Sequence, residues 1–247
     1  DWYLVVDNRG GDEARAVRVA ITARAPEQAA LGTPGRPGES GQGAPDAGTD
    51  LASALGRVER ALTGAFVLDD LEIRVVGCER GNAYAAPARI LVCREFIEDL
   101  VDDMQGDARR LSDVLLFALM HEASHVLLDA WALPSSRDEA TADEMAAVLL
   151  VMFGETQRIA AAADYFEGLS AGAPPISPDA PEVGHPDHAR RARNLRRWRE
   201  EGVELARRWQ PRLVPHMRTA LLRQLADEPR AWTDTDRVRD EQARRDD

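Results

Sequence analysis

Residues 112–131 constrain this chain most. The stretch from Ser112 to Trp131 is apolar enough to demand a helix inside a core, yet it carries His121, Glu122 and His125 at its middle. Imidazoles buried in such a helix need partners. Residues i and i+4 of an α-helix stand one above the other, so His121 and His125 can each aim a ring nitrogen at one Zn²⁺ about 2.0–2.1 Å away. Glu122 is rotated off that axis, which leaves it free to act as general base on a metal-activated water. Ser112 is the expected N-cap, and Asp113 falls in the first turn, where the helix dipole favours an acid.

A catalytic zinc keeps three protein ligands, so a third is expected downstream. Leu133-Pro134-Ser135-Ser136 breaks the helix, and a second one opens at about Arg137, with Ser135 or Ser136 as its expected cap. Its apolar stripe includes Ala142, Met145, Ala146 and Leu149, and Glu139 and Asp143 stand at the head of that stripe, four residues apart. Acids on a buried face must meet a cation. The reading is Glu139 as third metal ligand and Asp143 as acceptor from a ligand imidazole. An acidic first turn that merely satisfies the helix dipole is the bland alternative, and it suits Asp138 and Glu144 better.

The 247 residues suffice for one large domain or two small ones. Every basic side chain is arginine, and the net charge of −12 argues against nucleic acid or an anionic membrane as partner. No run of fully apolar residues reaches membrane-spanning length, so no span is expected. The chain begins at Asp1 and its first methionine is Met104, from which we expect that its start has been removed.

Trp2–Val6 and Val17–Thr22 read as strands joined through Asn8-Arg9-Gly10-Gly11, so residues 1–30 form an N-terminal strand unit. Residues 31–50 are rich in Gly, Pro, Ser and Ala and read as a flexible insertion. The catalytic core is assigned to 51–169, with a helix at Leu51–Thr63, strands at Phe66–Val76 and Ala88–Cys93, and a later helix at Glu155–Leu169. A mainly helical part of the same domain follows over 170–226, beginning with a Pro/Gly-rich loop, and 227–247 is a charged, disordered tail. The arginines from Arg190 to Arg199 run into Glu200, Glu201 and Glu204, the mark of a solvated, salt-bridged helix.

Cys78 and Cys93 stand in a hairpin-like context. A disulfide there would contribute roughly 3 kcal/mol by loop entropy and would favour an extracytoplasmic or secreted setting. Two buried free thiols, compatible with the cytoplasm, are the alternative.

His121-Glu122-x-x-His125 followed by Glu139-x-x-x-Asp143 resembles the gluzincin arrangement, of which thermolysin is the familiar member. With Cys78, Asn82-Ala83-Tyr84, Cys93-x-Glu95 and Leu133-Pro134 added, the stretch from about Val67 to Leu195 resembles a bacterial family of zinc metallopeptidases without known substrates. The interval from His125 to Glu139 is shorter than in thermolysin-like enzymes. The resemblance implies an α+β, zincin-like fold, in which a small twisted mixed sheet packs on the active-site helix and a mainly helical part follows. An edge strand would lie above the cleft, where Asn82 and Ala83 bind the substrate backbone by strand addition, with a turn residue after Gly81 as the alternative for Asn82. It also matches a histidine, an arginine and an asparagine to His185, Arg191 and Asn194. His185 is the candidate donor to a tetrahedral oxyanion and Arg191 a candidate substrate-binding residue, with structural arginine pairing as the alternative.

The expected function is zinc-dependent hydrolysis of peptide or protein substrates, with Glu122 and His185 catalytic and Zn²⁺ on His121, His125 and Glu139. A zincin-fold zinc-binding module without peptidase activity is the second reading, and a metal-free helical interaction protein the third. The sequence carries no sign of oligomeric state.

Overall fold

The computed structural model describes residues 4–7, 16–19, 47–68, 70–172 and 188–227. His185, the turn at 8–11 and all but the edges of the 31–50 and 227–247 segments lie outside the described residues. At one such edge, residues 47–50 belong to the first helix.

The protein is α+β. Strands β1 (Leu4–Asp7) and β2 (Ala16–Val19) form an antiparallel pair. Helix α1 (Ala47–Ala65) follows, burying Ala54, Leu55, Val58 and Leu62 at helical spacing. A second sheet contains β3 (Glu72–Val76), β4 (Ala83–Ala86) and β5 (Arg89–Cys93) in the order β3-β5-β4. Five helices complete the part around the cleft: α2 (Arg94–Asp103), α3 (Ala108–Ala130), α4 (Glu139–Met152), α5 (Thr156–Gly172) and α6 (His188–Glu201). Gly202, at φ 48°, lets the chain turn out of α6, a conformation that costs glycine little. Helix α7 (Val203–Leu213), a 3-10 turn and α8 (Thr219–Asp227) then close the fold.

The order of the sheet corrects the hairpin reading. β3 and β5 run parallel, with Ile73 opposite Ile90 and Val76 opposite Cys93, and β4 doubles back to pair antiparallel on the other side of β5. Cys78 and Cys93 are bridged, so the bond ties the exit of β3 to the end of β5. Gly81 precedes β4 so closely packed on α2 that a Cβ there would collide with the Asp99 carboxylate and come within 3.0 Å of the Phe96 backbone. The strand expected from Phe66 begins only at Glu72, and Phe66 instead forms an isolated bridge with Met217.

Helix α3 starts earlier, and helix α4 later, than the serines suggested. Asp107, not Ser112, caps α3 by accepting from the Arg109 and Arg110 N–H groups, and Ser112 is fully buried inside the helix. Asp138, not Ser135 or Ser136, caps α4 through the Thr141 N–H at 2.7 Å. The helix therefore opens with Glu139 as its first residue.

Helix α3 spans about 34 Å at 1.5 Å per residue and runs through the middle of the core. It is long and apolar enough to cross a membrane, but most of its apolar window is buried in the protein, so its hydrophobicity serves the core. From Ala142 to Met152 every residue of α4 except Glu144 is buried. A helix so largely buried needs neighbours on most sides, and α3, α5, α6 and α7 supply them.

Candidate metal centre and cleft

Helix periodicity places His121 and His125 one turn apart on α3, with ring centroids 4.9 Å apart. The turn between α3 and α4 brings Glu139 across from them. Its Oε2 lies 3.1 Å from His121 Nε2 and its Oε1 3.6 Å from His125 Nε2. The short interval from His125 to Glu139 thus still closes the triad. Donor atoms of all three residues lie within 4.8 Å of one another. Tetrahedral Zn²⁺ with bonds near 2.1 Å separates its ligand atoms by about 3.4 Å, so the spacing and the donor set both fit a metal ion.

The other ring nitrogens are already engaged. His121 Nδ1 donates to Asp143 Oδ1 at 2.8 Å, and His125 Nδ1 donates to the Ser136 carbonyl at 2.7 Å. These acceptors select the tautomer in which each Nε2 carries the lone pair that a metal would use. Asp143 is itself held by Arg191 from α6, whose Nε and a terminal guanidinium nitrogen lie 2.8 and 2.7 Å from its two oxygens. Acid and guanidinium are both buried, as such a fork requires if neither charge is to be left unpaired.

Electrostatics follow the contacts. Burial is the largest influence on His121 and disfavours its cation. The hydrogen bonds to Asp143 and Glu139 nevertheless win and push its pKa up to about 9. Burial likewise opposes a charged His125, but Glu139 and the Ser136 carbonyl raise its pKa too. Hydrogen bonds from the two histidines hold the Glu139 carboxyl far below the usual range. Burial works to raise Asp143, while His121 and the Arg191 guanidinium keep it low. In this arrangement a proton shared between imidazole and carboxylate stands where a divalent cation would satisfy all three groups.

Glu122 points elsewhere. Burial pushes its pKa up, and the backbone of Ala85 on β4 opposes that rise. Strand β4 is an edge of the sheet. The Cys93 N–H goes to the Asn82 carbonyl, so Asn82, Tyr84 and Ala86 direct their backbone groups towards β5. By alternation, the N–H and C=O groups of Ala83 and Ala85 face the cleft. Asn82 lines the cleft, but its carbonyl is spent inside the sheet.

The cleft has a volume of about 500 Å³ and is bordered by β4, α2, α3, α5 and the turn before α4. Of the residues singled out from sequence, His121, Glu122, His125, Glu139, Asn82, Ala83 and Arg191 line it, Asp143 stands behind His121, and His185 lies outside the described residues. Ala85, Phe117 and Phe166 escaped the sequence reading. Nothing marked them, because two belong to ordinary apolar stripes and the third acts through its backbone.

The fold thus brings a His-Glu-x-x-His helix and a glutamate of the next helix together as a candidate metal site. A family model described as "Putative metallopeptidase" matches residues 50–175, half of the chain, and the chain belongs to that family. The match contains all three metal-ligand candidates, Glu122 and Asp143. No curated protein and no solved structure matches the chain.

Proposed function

We propose that the protein is a zinc-dependent peptidase, with Zn²⁺ held by His121, His125 and Glu139. The observation that carries this reading is the convergence of two Nε2 atoms and one carboxylate while both Nδ1 atoms are engaged behind them. When bound, the metal supplies a Lewis acid and lowers the pKa of water to about 7. Glu122 takes a proton from the attacking water and carries it to the leaving amine as the C–N bond breaks. Its raised pKa suits a group that must both accept and return a proton. Asp143 and Arg191 fix the His121 ring from behind. Ala83 and Ala85 offer the strand edge to which an extended peptide adds beside Glu122. Asn82 is the side chain placed to steady that peptide, and His185 is the proposed oxyanion donor. The Cys78–Cys93 bridge supports an extracytoplasmic setting.

Replacing Glu122 by Gln tests the mechanism. Hydrolysis of a mixed peptide substrate should fall at least about a hundredfold while zinc content stays at the wild-type level. Full activity in that variant would refute the assignment of the base.

A further inference from the structure

A second group of metal-ligating side chains stands apart from the lining of the cleft. Cys78 follows the exit of β3, Cys93 ends β5 and is the N-cap residue of α2, and Glu95 lies in the first turn of that helix. One ligand atom from each of the three lies within 4.8 Å of the other two. The Glu95 carboxylate is already turned towards Cys78, since its Oε2 accepts from the Cys78 N–H at 2.8 Å. A carboxylate has about four acceptor positions, so this bond leaves Glu95 able to take a cation as well.

The sulfurs are joined to each other in the oxidised protein, and they become ligands when the bridge opens. Cys78 is half-buried and Cys93 fully buried, so a dithiol reductant meets the Cys78 sulfur first. Its thiolate attacks that sulfur, the S–S bond breaks and the electron pair leaves on Cys93. The second thiol of the reductant then displaces Cys78 as the reductant's own disulfide closes. Two electrons pass to the protein, and the two protons of the dithiol end on the cysteines. A divalent cation releases those protons as it binds the two thiolates. Tetrahedral Zn²⁺ holds thiolate sulfurs at about 2.3 Å, which sets them about 3.8 Å apart. The two Cα atoms, 5.5 Å apart, allow that separation by side-chain rotation. Glu95 supplies a third ligand and water a fourth.

We infer that Cys78, Cys93 and Glu95 form a second, redox-gated site that takes a thiophilic divalent cation when the disulfide is reduced. The cation then ties the exit of β3 to the start of α2 in place of the S–S bond, so that reducing surroundings exchange one cross-link for another. Two thiolates select a softer cation than the imidazoles and carboxylate of the cleft do.

The test is a Cd²⁺ titration of the full chain, followed by the thiolate-to-metal charge-transfer absorbance in the ultraviolet. The histidine centre contains no sulfur, so this band reads the second site alone, whether or not the protein is a peptidase. Protein reduced with a phosphine, and freed of it under argon, should bind one Cd²⁺ per chain with this band, and oxidised protein should show none. Glu95→Gln keeps an acceptor for the Cys78 N–H and should weaken the affinity of the reduced protein at least about tenfold. No band from protein whose cysteines both react with a thiol reagent overturns the inference, as does an affinity that Glu95→Gln leaves unchanged. If that variant does not fold, cadmium-113 NMR of the reduced wild type decides. A resonance from mixed sulfur and oxygen coordination upholds the site, and its absence overturns it.

Discussion

His121 and His125 sit one turn apart on α3 and face the same carboxylate, yet they are held by different means. Behind His121 stand a buried carboxylate and a buried guanidinium. Behind His125 stands a single neutral backbone carbonyl from the turn that leads into α4. A charged acceptor makes the first imidazole the more basic donor to a metal, whereas the carbonyl does little beyond fixing the ring. The contrast shows that one imidazole is fixed by core electrostatics and the other by the path of the chain.

The contrast breaks most severely at Asp143. Replacing it with Ala strands Arg191 as an unpaired buried charge and leaves His121 Nδ1 without its acceptor. Denaturant unfolding should show a loss of about 3–5 kcal/mol. Competition with a chelator should show metal affinity lowered about 10–100-fold.

A smaller effect is expected from pH. A histidine with a raised folded pKa stabilises the protein fully below its unfolded value, and loses that contribution as pH rises through the folded one. For His121 the window runs from 6.5 to about 9. Metal-free protein should therefore lose up to about 3 kcal/mol of unfolding free energy across that window. Zinc-loaded protein should not, because Nε2 is then occupied. A flat profile for the chelated protein would remove the electrostatic distinction between the two histidines. The smallest effect belongs to Ser136→Ala. It keeps the carbonyl on which His125 relies and should change stability by less than about 0.5 kcal/mol and leave metal content intact.

The candidate site's juxtaposition was legible where helical periodicity speaks. His121, His125, Glu139 and Asp143 each stand four residues from a partner on one helix, and the structure brings all four together. The helix starts were misread because Ser and Asp compete as caps. Asp107 and Asp138 prevailed, at the points where the chain leaves extended or turn conformations. The sheet was half legible. Alternation reveals that 89–93 is a strand but not which strand it pairs with, so the parallel match of β3 to β5 was hidden. Arg191 was singled out by resemblance alone. Its fork onto Asp143 joins residues 48 apart in the chain, a long-range contact that no local pattern encodes.

Strand β4 lies wholly between Cys78 and Cys93, so the rim of the cleft nearest Glu122 is part of a covalently closed ring. A backbone cut anywhere from Glu79 to Val92 would open that ring without separating the two pieces. That rim can be nicked there and still hold together.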